Sequence, residues 1–124
     1  MSIQPGAVRR GYAHQATLGL EADADPAAPG GAVTVALCGS WEHDGRCTWP
    51  HQSDLSSTPD GSTLRTVFVA EPEQEHHVRA LIEGCLRVGA LTGPDERVSA
   101  WGVRASGPVP LSADEQRLVD HLTS

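Results

Sequence analysis

Apolar and polar positions alternate from Gly11 to Glu21. Tyr12, His14, Ala16, Leu18 and Leu20 fall on one face, with Gln15, Thr17 and Glu21 on the other. That period of two predicts a half-buried strand. Ala22 to Gly31 is rich in Asp, Pro and Gly and reads as a loop. Ala32 to His43 alternates again. Val33, Val35, Leu37 and Trp41 share the face taken as core, opposite Thr34, Cys38, Ser40 and Glu42. Asp44-Gly45 is a two-residue hairpin signal, because both central positions need positive φ. It predicts a short return strand, Arg46 to Trp49, stopped by Pro50. The polar run from His51 to Gly61 reads as a loop. Thr63 to Ala70 is apolar on much of both faces and predicts a central strand.

The period then changes. Val78, Leu81, Ile82, Cys85 and Leu86 follow i, i+3, i+4, i+7, opened by Pro72 and closed by Gly89. Glu71, Glu73 and Glu75 suit the positive end of that helix. Gly93-Pro94-Asp95 is a turn, Arg97 to Ala105 a strand, and Gly107 to Pro110 a stiff connector. Ser112 and Glu115 form a capping-box signature ahead of Leu118, Val119 and Leu122. The expected fold is α+β: a two-layer sandwich with a mainly antiparallel four-stranded sheet, order βββαβα, a short extra hairpin strand, and two helices on one face. Residues 1–10 read as a flexible leader and 11–124 as a single domain. The element order resembles the second domain of ribosomal protein S5. That likeness carries no function.

Composition narrows the classes. The 124 residues suit one domain. Nine basic residues, all Arg, against sixteen acidic ones give a net charge of −7, which argues against a nucleic-acid partner. The lack of Lys, with much Ala, Gly, Arg, Val and Pro, points to a GC-rich bacterial source. No run of about 20 apolar residues suggests a membrane span, and no apolar run behind a charged start suggests a signal peptide. Cytoplasmic placement is the expectation, with Cys38, Cys47 and Cys85 as free thiols; the spacing allows a Cys38–Cys47 disulfide, which a reducing compartment disfavours.

The densest chemistry lies between Cys38 and His51. Cys38, His43, Cys47 and His51 are the ligand types of a tetrahedral zinc site, in the spacing Cys-x4-His-x3-Cys-x3-His. The hairpin opposes that reading. Its register sets Cys38 and Cys47 four positions apart and turns His43 to the other face. It places Cys38 beside His51, the juxtaposition a nucleophilic thiol needs. It also gathers Ser40, Glu42 and Trp49 on a polar face; with Trp41 these are the candidate binding residues. His14, alone on an apolar face, reads as a satisfied, partly buried histidine, and as an extra zinc ligand if it neighbours the hairpin in the sheet. His76-His77 reads as a solvated helix start. No catalytic constellation is assigned and no resident cofactor beyond zinc is suggested. The chain reads as a non-catalytic binding or interaction module, engaging a protein partner or itself as a homodimer, without nucleic acid or membrane. The alternatives are a zinc protein and a small thiol enzyme with a Cys/His pair. If zinc is held, Cys47→Ser lowers both bound zinc, by elemental analysis, and thermal stability, because structural metal binding is folding free energy.

Overall fold

The computed structural model describes residues 9–39, 49–59, 61–93 and 96–123. Five strands and three helices follow in the order β1 Arg10–Leu20, α1 Ala28–Cys38, β2 His51–Thr58, β3 Gly61–Ala70, α2 Glu75–Val88, β4 Ala90–Thr92, β5 Val98–Val109 and α3 Ala113–Thr123. The sheet is antiparallel, in the order β2-β3-β1-β5-β4. Through β3, β1 runs parallel to β2; through β1, β3 runs parallel to β5. Helices α1 and α2 make those two crossovers. The connectivity is a pair of interleaved split βαβ units, as in ferredoxin-like folds.

The α+β class holds, but the sheet has five strands rather than four, and the order is not βββαβα. Three segments account for the change, one of them the short strand β4, which follows the Gly89 helix end and pairs with β5 from Ala90↔Ala100 to Thr92↔Val98. The expected strand from Ala32 is helix α1. Its residues are apolar almost all round, with Ala28, Pro29, Gly31, Ala32, Val33 and Leu37 buried. A helix buried on nearly every side shows no polar stripe, so its period is hidden. Its ends are signalled instead. Pro29 sits in the first turn, and Gly39 closes the helix at φ 86° with its N–H on the Val35 carbonyl. The proposed Asp44-Gly45 hairpin and its return strand lie outside the described residues, except Trp49.

The second segment is the expected loop from His51, which is the edge strand β2. It pairs with β3 from His51↔Phe68 to Thr58↔Gly61. Its serines and Asp54 are weak strand formers. Pairing with a strongly apolar neighbour overrides that propensity, and polar residues suit an edge. Gly61 turns the chain at φ 135°, where an added Cβ would sit 2.6 Å from the Leu18 carbonyl oxygen.

Alternation in the central strands feeds both faces of the sheet. Ala16, Leu18, Leu64, Phe68 and Ala70 pack with Trp101 against α1 and α2 residues such as Val33, Leu37, Val78, Ile82 and Leu86. Ala13, Val67 and Val69 pack on the opposite face around Val119 of α3, with Leu118 and Leu122 beside it. The third helix is therefore not on the face of the other two. The capping box forms as the spacing predicts: the Ser112 N–H donates to Glu115 Oε1 at 2.8 Å and the Glu115 N–H to Ser112 Oγ at 3.1 Å. Glu115 also receives the Arg65 guanidinium of β3, which holds its carboxyl down to about 2. One helix cap thus also docks α3 on the sheet.

The seat of α3 depends on Gly11, where an added Cβ would meet Val119 Cγ2 at 2.2 Å. Gly11→Ala should cost about 1–3 kcal/mol by overpacking. Urea denaturation checks this, and Val119→Ala in the same chain should return part of the loss.

Candidate functional site

Two buried histidines stand on the face of the sheet that α1 and α2 cover. Both touch a hydroxyl, and their partners give them opposite tautomers.

His14 of β1 is 2% exposed. Arg79 of α2 lies 3.0 Å from its Nδ1, with a second donation to the Ala13 carbonyl at 2.8 Å. A guanidinium only donates, so His14 Nδ1 must accept. The ring proton is then on Nε2, which faces Ser106 Oγ at 2.9 Å and Glu83 Oε2 at 3.3 Å. Ser106 in turn donates to Glu83 at 3.3 Å. Arg79 is fixed further by Glu75 at 2.8 Å and by lying against the rings of Tyr12 and Phe68. Burial and the Arg79 charge push His14 below its ordinary value, with Glu83 opposing. His14 is a neutral, satisfied structural residue, in line with the sequence reading. Its Nε2 carries a proton and cannot take one from Ser106.

His51 of β2 is 8% exposed. Its Nδ1 lies 3.1 Å from the Trp49 carbonyl oxygen. A carbonyl only accepts, so the proton is on Nδ1. Nε2 therefore presents a lone pair, and the Thr34 hydroxyl of α1, 3.0 Å away, donates to it. The pair borders a cleft of about 360 Å³ between the first turns of α1 and the edge strand. Pro26, Ala27 and Gly30 form the helix side; Gln52, Ser53 and Leu55 form the strand side, with Leu64 also on the wall. Among the described residues, no side chain lining the cleft is a carboxylate, guanidinium or amine. Ser53 is held by Thr66 at 2.9 Å. Gly30 stands one turn before Thr34 and opens the wall beside the hydroxyl; a Cβ there would already touch Ser53 Cβ at 3.5 Å.

The remaining suspects divide. Cys38 is at the C-terminal end of α1 and is disulfide-bonded, while Cys85 is a free thiol whose pKa burial raises to about 11. The expectation of free thiols fails for Cys38. Its Sγ lies 3.7 Å from His51 Nδ1. The Cys38–His51 juxtaposition therefore exists, but helix and edge strand create it rather than a hairpin ladder. A sulfur in a disulfide offers zinc no thiolate, and the negative end of a helix opposes a thiolate. Among the described residues, no group of three or more His, Cys, Asp or Glu could hold a metal ion. Ser40, Trp41, Glu42, His43 and Cys47 lie outside the described residues. Trp49 is half-buried against the main core and meets His77 edge-on at 5.5 Å. Thr34 was not singled out in the sequence, because a strand from Ala32 put it beside Cys38 on a polar face. The Pro29 and Gly39 boundary signals were the means of finding it.

A second cavity, of about 520 Å³, lies beside α3 between Arg9, Gly11, Val69 and Val119. Its Arg9 is paired with Glu71 at 3.0 Å. Among the described residues, no helix is long and apolar enough to cross a membrane.

The tautomer of His14 yields a prediction. Its folded pKa lies below the unfolded value of 6.5. The neutral ring's contribution is then fully present above pH 6.5 and is lost as the pH falls toward the folded pKa. Denaturant midpoints measured from pH 7 down to pH 5 should fall more steeply for the native chain than for His14→Gln. Comparison with family models, curated proteins and solved structures finds no match.

Proposed function

We propose that the protein is a binding module whose α1–β2 cleft takes a small, uncharged, hydrogen-bonding molecule. The observation that carries this reading is a cleft of ligand size whose described wall has no carboxylate, guanidinium or amine yet holds a hydroxyl–imidazole pair. Sites for small molecules are mostly apolar concavities with a few placed polar groups. Leu55, Leu64 and Pro26 supply the apolar surface. Thr34, His51 and Ser53 supply polarity in orientations fixed by Trp49 and Thr66. Such pre-set groups lose little entropy on binding. A charged ligand would lose its hydration here without gaining a counter-ion.

The thiol-enzyme alternative requires reduction of Cys38 and activation of its thiol at the unfavourable end of α1. The Cys38–His51 contact supports it, and the disulfide weighs against it.

The test is a screen of uncharged polar fragments against the uniformly ¹⁵N-labelled full chain, read by amide shifts. Saturable shifts should gather at Gly30, Thr34, Gln52 and Ser53. Shifts gathered at Gly11 and Val119 instead, or none that saturate, would overturn the assignment.

A further inference from the structure

We infer that the α1–β2 cleft takes an extended polypeptide segment, added as a further strand on the outer edge of β2, with two uncharged side chains in the cleft and a basic one between them. The inference rests on the cleft being a binding site and names its occupant.

The edge supplies the backbone half of the site. β2 ends the sheet on one side; β4, on the other, has only three residues. The Val69 N–H donates to the Pro50 carbonyl at 3.0 Å, which sets the phase of the β2–β3 ladder. Its register then runs unbroken to Thr58↔Gly61. Opposed residues of antiparallel strands alternate between hydrogen-bonded and non-bonded pairs. Gln52, Asp54 and Ser56 therefore turn their backbone groups toward β3, while Ser53, Leu55 and Ser57 turn theirs outward. Among the described residues, none bonds those outward groups. Proteins commonly blunt such an edge with proline, a bulge or several charges. Strand β2 has no proline, no bulge and one carboxylate, Asp54.

The cleft lies along that same edge. Ser53 and Leu55 line its strand side, and both side chains are on the face that α1 covers: Ser53 bonds Thr66, and Leu55 packs on the main core. Residues directly opposite each other in an antiparallel pair place their side chains on one face. The two residues of an added strand across from Ser53 and Leu55, about 7 Å apart, thus face α1. There Pro26, Ala27 and Gly30 form the helix side of the cleft. Its described wall offers no counter-ion, so both side chains that enter are uncharged.

The residue between them points to the other face, across from Asp54. That side chain is exposed, and none of the ion pairs among the described residues uses it. Arg65, its neighbour on β3, is engaged by Glu115. A Lys or Arg at the middle position meets this carboxylate, and the net charge of −7 draws a basic segment to the chain. A second copy's β2 fits less well, because it holds no Lys or Arg to set against Asp54.

The probe is acetyl-Thr-Val-Lys-Val-Thr-amide with the uniformly ¹⁵N-labelled full chain, read by amide hydrogen exchange. In the free chain, the Gln52, Asp54 and Ser56 amides should exchange slowly and those of Ser53, Leu55 and Ser57 rapidly. With peptide at ten times its Kd, the three outward amides should slow about tenfold. Asp54→Lys, a change at an exposed position, should weaken this peptide about fivefold and leave the inward amides protected. The same variant should prefer acetyl-Thr-Val-Glu-Val-Thr-amide. Moving charge into the cleft, with acetyl-Thr-Glu-Lys-Glu-Thr-amide, should abolish protection in the native chain. Outward amides already protected in the free chain, as in a dimer paired through β2, overturn the inference. So does unchanged exchange up to the peptide's solubility limit. The uncharged fragments separate the two proposals. If they shift Gly30 and Ser53 while the peptide protects no outward amide, the cleft stands and the strand partner fails. If neither acts, the cleft reading fails first.

Discussion

The structure depends on two-sided burial of the central strand pair. In β1 and β3, adjacent residues point to opposite faces, and both faces carry apolar side chains. Ala16, Leu18, Leu64 and Phe68 require cover on one side; Ala13, Val67 and Val69 require it on the other. At about 25 cal/mol per Å² of apolar surface, neither set can be left in water. Helices α1 and α2 satisfy the first face. Helix α3 satisfies the second, tethered through Glu115 to Arg65 of β3. The chain's other features are arranged around that demand.

The cleft is a consequence of how α1 meets its cover role. Its small residues let it lie close to β2, so that Gly30 approaches Ser53. The same closeness brings Thr34 to His51 and Cys38 to the other side of that ring. A bulkier helix would fill the space or hold the strand away. The polar groups are thus set by packing of apolar ones, and His51 is oriented by a carbonyl that can only accept.

That asymmetry of donors and acceptors gives the two histidines different chemistry in one core. Arg79 cannot accept, and the Trp49 carbonyl cannot donate. One imidazole is left as a donor in a salt-bridged network, and the other as an acceptor on a cleft. Burial is similar for both, so exposure does not distinguish them.

Much of this chain was legible without coordinates. The half-buried strand at Gly11, the apolar strand at Thr63, the amphipathic helix closed by Gly89 and the Ser112–Glu115 cap all show periods or end signals set by neighbours a few residues away. The tight relation of Cys38 and His51 was anticipated too, though from the wrong local structure. What failed was the identity of Ala28–Cys38 and His51–Thr58. In the first, burial on nearly all sides erases the period that separates helix from strand. In the second, a polar segment becomes a strand because β3 pairs with it. The sequence by itself determined the α+β class, the faces of β1, and the ends of α2 and α3, because these follow from local periodicity and capping. Only the tertiary structure decided the side on which α3 packs, the edge strand, and the meeting of Thr34 with His51. Those depend on contacts between distant segments, whose energy resides in the surfaces they bury together and not in either segment alone.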